Sequence, residues 1–331
     1  MIPSDCLDPR RLHLVLMPTE ACHFRCTYCF EDFRLGRMPP GVVRALKVWL
    51  ERRAPELELL QLSWFGGEPL LAMDLLEEVQ AHAIELARRH PPLLVQANLT
   101  TNGERLEPET FRRLLALRVT DYQITLDGPA DVHDRTRVLA GGGGTFARIW
   151  ANLVAMHEVE AEFSVVLRVH VHRENRQRLP ELLERCSEAW GGDRRFRLSL
   201  KAIFDPGRPG FDAESLLAPE EETEAIDALL VQAAELELVD PPRAGAPGGE
   251  RGPVCYAAKA NSFVVRSNGA LNKCSVALSA ADNQVGRLNE DGTVTIDAAR
   301  MQHWMRGLFS GDAEERRCPM AARPVASQTA R

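Results

Sequence analysis

The sequence predicts an α/β protein: a partial (β/α)6 barrel, TIM-like in its element order, with a small C-terminal extension. Three observations predict it. Apolar runs of strand length alternate with amphipathic stretches of helical period from residue 11 to residue 203, which implies parallel βαβ units. The residues with chemistry to offer fall just after those strands, where barrels place their sites. The chain has 331 residues and is 45% hydrophobic, enough to bury a barrel core.

The elements follow in order. Arg11–Met17 alternates, then runs apolar, and Pro18 ends it: a strand. Pro40–Arg53 has helical spacing through Val43, Leu46, Trp49 and Leu50. Leu59–Phe65 is the second strand, closed by Gly66-Gly67-Glu68-Pro69, and Met73–Arg89 the second helix. Strands at Leu93–Leu99, Tyr122–Leu126, Phe163–Val171 and Phe196–Ile203 alternate with helices at Pro108–Leu117, Phe146–His157 and Leu179–Trp190. Pro219–Val239 reads as a charged helix that completes a barrel domain over residues 11–239. Residues 240–253 are rich in Pro and Gly and read as a linker. In the extension, 254–331, Ser267-Asn268-Gly269 sits between two apolar runs and signals a hairpin.

Composition narrows the function. A formal net charge of −7 disfavours a nucleic-acid backbone or an anionic membrane as partner. No run approaches the roughly 18 apolar residues of a membrane helix, and Met1–Arg11 lacks the apolar core of a signal peptide. The expected location is cytoplasmic and reducing. Clustered members of the eight cysteines then point to metal or redox sites rather than disulfides.

The densest cluster is Cys22-His23-Phe24-Arg25-Cys26-Thr27-Tyr28-Cys29, directly after the first strand. A closed iron–sulfur cluster takes four thiolates, so three leave one iron open for chemistry. A zinc site with His23 as fourth ligand is the structural alternative, although zinc favours paired Cys-x2-Cys knuckles. On the fifth strand, Arg168, His170 and His172 share one face by the period-two rule and are candidates to line an active site.

Cys-x3-Cys-x-Tyr-Cys after a first strand resembles the signature of the radical S-adenosylmethionine (radical SAM) superfamily. The resemblance implies that Cys22, Cys26 and Cys29 hold a 4Fe-4S cluster, and that S-adenosylmethionine binds its open iron. Reductive cleavage then gives a 5′-deoxyadenosyl radical that takes hydrogen from a substrate; the cofactor carries the hard chemistry. It further implies that Gly66, Gly67, Glu68 and Pro69 lie against the methionine amino group, and that Tyr28 lies near the adenine. Thr125-Leu126-Asp127-Gly128-Pro129, with His133, Asp134 and Arg137, resembles peptide- and protein-modifying members, including anaerobic sulfatase-maturing enzymes. By that resemblance Thr125 and Arg137 hold S-adenosylmethionine and Leu198 touches the nucleoside. Asp127, Arg168 and His170 are expected to line the substrate site.

Cys255-x13-Gly269-x4-Cys274 resembles the start of the SPASM extension, which carries auxiliary iron–sulfur clusters. Cys318 can continue it, but Ala321, Ser327 and Arg331 stand where further cysteines belong. The expectation is one auxiliary cluster on Cys255, Cys274 and Cys318, or none. Ser275 stands where sulfatase-maturing relatives carry an Asp base, so formylglycine formation is the second reading. The first reading is a maturase acting on a ribosomally made precursor peptide to give a carbon–carbon, ether or thioether crosslink or an epimer. Expected partners are that peptide, an electron donor such as flavodoxin or ferredoxin, and a separate peptide-recognition protein. A non-catalytic zinc or iron–sulfur module is the reading from another class.

Overall fold

The computed structural model describes residues 4–207, 210–239 and 254–320. The expected linker at 240–253 and the final residues 321–331 lie outside them. Along the barrel the order is β1 (Arg11–Leu16), α1 (Pro40–Arg53), β2 (Leu59–Trp64), α2 (Met73–Arg89), β3 (Leu94–Thr101), α3 (Pro108–Ala116) and β4 (Val119–Thr125). Then come α4 (Ala130–Thr136), α5 (Phe146–His157), β5 (Ser164–Val171), α6 (Leu179–Trp190), β6 (Phe196–Ala202) and α7 (Pro219–Glu235). The C-terminal part adds β7 (Ser262–Val265), β8 (Ala270–Asn272), β9 (Gln284–Leu288), β10 (Val294–Ile296), α8 (Ala298–Ser310) and α9 (Ala313–Arg317).

Among the described residues these strands form one ten-stranded sheet, ordered β10-β9-β8-β7-β1-β2-β3-β4-β5-β6. β1 to β6 pair in parallel, as alternating strands and helices dictate. β7 joins β1 in parallel and then turns back through antiparallel β8, β9 and β10. The C-terminal hairpin therefore continues the barrel sheet, and β6 stays an open edge. The helices cover the outer face: Leu46 and Leu50 of α1, Leu76 and Val79 of α2, and Leu182 and Leu183 of α6 are buried there with Leu14, Leu62 and Leu167 of the strands.

The inner face is unlike this. Val165, Leu167 and Val169 point outward into the core, so Arg168 and His170 point inward. His13, Ser63, Asn98, Thr100 and Gln123 occupy the same inner face of their strands and line a common cavity. His13 Nε2 and Asn98 Nδ2 both meet Ser63 Oγ, at 2.8 and 2.9 Å. A polar chamber thus runs up the barrel to the ends of the strands.

Candidate active site

The cysteine loop follows β1 and is fixed on three sides. Gly67 N and Glu68 N donate to Thr19 O and Ala21 O at 3.2 and 2.9 Å. A Cβ on Gly66 would lie 2.4 Å from Thr19 O, and one on Gly67 2.3 Å from Ala21 O. These glycines are bare because the cysteine loop presses on them; Gly66 also has φ +122°, which glycine alone adopts readily. On the second side Arg25 N and Thr27 N donate to Val138 O and Thr136 O, at 2.8 and 2.9 Å. On the third, Glu20, 1% exposed, meets the C-terminal hairpin turn. Its Oε1 accepts from Arg266 Nε, Ser267 N and Ser267 Oγ, each at 3.2 Å, and its Oε2 pairs with Arg266 Nη2.

The loop so held puts Cys22, Cys26 and Cys29 on the wall of a cavity of about 510 Å³ at the strand ends. Tyr28, Gly66, Gly67, Thr125, Arg137, Arg168 and His170 share it. Tyr28, Asp127, Arg137 and His170 form one network. The Tyr28 hydroxyl donates to Asp127 Oδ2 and accepts from Arg137 Nη1 at 2.9 Å. Asp127 Oδ1 accepts from His170 N at 3.1 Å and lies 3.4 Å from His170 Nδ1. Burial alone would raise the Asp127 carboxyl, but the His170 hydrogen bond and the charges of His170, Arg137 and His133 hold it well below the usual range. Burial pushes the Tyr28 hydroxyl well up, so it stays a donor. Burial opposes the Arg137 charge, yet Cys26, Tyr28 and Asp127 raise its pKa further.

Several expected residues stand elsewhere. The Glu68 carboxylate is fully buried: Oε1 accepts from Leu70 N at 3.0 Å and Thr101 Oγ1 at 2.7 Å, and Oε2 from Asn102 N at 2.7 Å. Burial still raises its pKa against these three donors. It ties the turn after β2 to the end of β3 and leaves Asn102 facing the chamber; neither Glu68 nor Pro69 lines the cavity. Leu198 pairs with outward-pointing Leu167 and is buried in the outer core, away from the cavity wall. Ala202, Ile203 and Phe204, at and just beyond the end of β6, are the apolar residues that the cavity does contain there. Asp127 stands behind Tyr28 and His170 rather than on the wall, and His172 is buried outside it. Sequence reasoning missed Glu31, buried on the cavity wall, and the stacked rings of Phe65, Phe30 and Phe204, with centroids 6.4 and 6.3 Å apart.

The donor set fits an iron–sulfur cluster better than zinc. Among the described residues no three Cys, His, Asp or Glu side chains converge on one ion. His23 does not line the cavity, and its Nε2 bonds Glu104 at 3.1 Å. A cluster spreads its thiolates over separate irons, so they need not meet at a point. Arg137, Asn102 and Glu31 line the same cavity, and one polar atom of each, Arg137 Nε, Asn102 Nδ2 and Glu31 Oε2, is buried without a protein partner. Buried polar groups are normally hydrogen-bonded, to protein, ordered water or a bound group.

Residues 16–186 match the family model of the radical SAM superfamily. The chain belongs to the radical SAM superfamily. It is 27% identical over 219 residues to the PqqA peptide cyclase of Granulibacter bethesdensis, covering 66% of this chain and 54% of that protein. It is 33% identical over 159 residues to the mycofactocin maturase MftC of Mycobacterium ulcerans, covering 46% and 39%. The chain thus spans about half the length of these curated relatives, or less. In fold it resembles anSMEcpe, solved with bound AdoMet and the Cp18Cys peptide: TM-score 0.67, 18% identity, 88% of this chain and 80% of that one. Membership of the family implies a 4Fe-4S cluster and S-adenosylmethionine. No helix among the described residues is long and apolar enough to cross a membrane.

The C-terminal cysteines gather behind the same chamber. Cys255, Cys274 and Cys318 lie within electrostatic reach of one another. Their sequence neighbours Tyr256 and Ser275 line the cavity, and the two hydroxyls meet at 2.8 Å.

Proposed function

We propose that this radical SAM enzyme modifies a ribosomally made precursor peptide, forming a crosslink or an epimer. The observation that carries the reading is one chamber that holds three loop thiols, unpartnered polar groups and a polar barrel interior with room for a side chain. The peptide-directed names of the relatives supply the substrate class, since fold alone does not.

Cys22, Cys26 and Cys29 would hold the cluster. When bound, it supplies the electron that cleaves S-adenosylmethionine. Arg137 and Asn102, which line the cavity and each keep a buried donor without a protein partner, would hold a carboxylate. Asp127 fixes Tyr28 and His170 against the chamber. The buried Phe24 and the outer core keep water from the back of the loop. Thr125 adds a hydroxyl on the wall. Cys255, Cys274 and Cys318 would take one auxiliary cluster with a fourth position open to a non-cysteine ligand.

Formylglycine formation is the weaker reading, because Ser275 offers the chamber a hydroxyl bound to Tyr256 and no carboxylate base. A flavodoxin or ferredoxin would deliver the electron, and a separate protein would present the peptide. The test is anaerobic incubation with each short peptide encoded beside this gene, with mass spectrometry of the product. A modified peptide with matching 5′-deoxyadenosine supports the proposal. Modification of a nucleotide or sugar instead, with every such peptide untouched, refutes it.

A further inference from the structure

The chamber wall built by β5 and β6 carries two cations that pair with no carboxylate among the described residues. Arg168 of β5 and Lys201 of β6 both line the cavity. His170 is the register partner of Lys201, and Arg168 that of Ser199, so Arg168, His170 and Lys201 share the inner face where the sheet ends. Arg168 is half-buried, and its guanidinium donates to the neutral Gln123 Oε1, at 3.1 Å. No carboxylate pairs with Arg168 or Lys201 among the described residues. The other arginine of the chamber, Arg137, is engaged with Tyr28 on the cysteine side. Asp127 is committed to Tyr28 and His170.

A guanidinium drawn partly out of water gains most from a carboxylate, which accepts two parallel hydrogen bonds and returns the lost charge compensation. Lys201 is exposed on β6, the edge strand of the sheet. We infer that Arg168 and Lys201 form a carboxylate-binding subsite, and that the peptide substrate presents an acidic side chain to it. This rests on the peptide reading above. The exposed ring of Phe204, next to Lys201 along the chain, gives the same mouth an apolar lip, so an acidic residue beside an apolar one fits best.

The test uses reconstituted protein with S-adenosylmethionine and three probes: acetyl-Ala-Phe-Glu-Ala-amide, its Gln counterpart and glutarate. Binding is measured by anaerobic calorimetry for the wild type, Arg168→Gln and Lys201→Gln. The Glu peptide should bind about tenfold or more tighter than the Gln peptide, and Arg168→Gln should abolish the preference. Lys201→Gln changes an exposed residue, so it keeps the test open if the Arg168 variant misfolds, and it should at least halve the preference. Equal binding of both peptides overturns the subsite and leaves the peptide reading standing. Binding of glutarate alone, lost in Arg168→Gln, supports the subsite and counts against the peptide reading. No binding of any probe, or an equal loss of S-adenosylmethionine affinity in both variants, overturns the inference.

Discussion

Replacing Arg266 with Met should loosen the cysteine loop from a distance of 246 residues along the chain. Glu20 is 1% exposed, and its carboxylate rests on Arg266 and on the Ser267 amide and hydroxyl. Arg266→Met keeps the length of the side chain and removes the charge, which leaves a buried carboxylate with two neutral donors. Removing one partner of a buried pair costs about 3–5 kcal/mol. The remaining Ser267 donors place this case near the lower end, about 3 kcal/mol. Glu20→Gln with Arg266→Met removes both charges and should cost about 1 kcal/mol. The double-mutant cycle then shows a coupling of about 2 kcal/mol or more. Urea-unfolding midpoints of the metal-free single and double variants measure it, and hydrogen exchange at residues 19–22 should rise in Arg266→Met alone. A change below about 0.5 kcal/mol for Arg266→Met, or strict additivity, would refute the claim that the hairpin holds the loop.

Glu68→Ala should destabilise the fold by about 2–4 kcal/mol, because Leu70 N, Thr101 Oγ1 and Asn102 N lose their acceptor. A neutral variant in thermal melts would show that the carboxylate serves a ligand instead. Burial, then the charges of Lys259 and Lys273, lower His13 from 6.5 to about 4. The neutral ring is favoured in the fold, so its contribution is present above pH 6.5 and is lost as pH falls through about 4. His13→Gln should flatten that acid limb by up to about 3 kcal/mol, and an unaltered limb in pH-dependent unfolding contradicts it. For the auxiliary site, the variant lacking Cys22, Cys26 and Cys29 should keep about half of roughly eight irons under strict anaerobiosis. If it keeps none, Cys255, Cys274 and Cys318 only pack the chamber's back wall.

Much of this was legible because strands declare their faces. The period-two set Arg168 and His170 is polar beside apolar Val165, Leu167 and Val169, and the inner face follows directly. Met73–Arg89, Phe146–His157 and Leu179–Trp190 are helices with the bounds that their spacing predicts. The motif Cys22-x3-Cys26-x2-Cys29 was readable because its chemistry is local. Leu198 was misplaced because a resemblance names a position without its strand parity, which pairing with Leu167 fixes. The motif makes Glu68 a ligand contact, yet two of the three donors that claim it come from the end of β3, more than thirty residues away. The pairing of Glu20 with Arg266 leaves no local pattern at all. Helix α8 escaped notice because its apolar face is thin; Trp304 and Leu308 are its large buried side chains.

The central claim is that Cys22, Cys26 and Cys29 together make the chamber cleave S-adenosylmethionine. The direct measurement is 5′-deoxyadenosine formed by anaerobically reconstituted, dithionite-reduced protein, for the wild type and for Cys22→Ala, Cys26→Ala and Cys29→Ala. Each substitution removes one of the three proposed ligands, so the wild type should form the product and all three variants should form none above the protein-free blank. Wild-type yield from any one of the three variants would contradict the account.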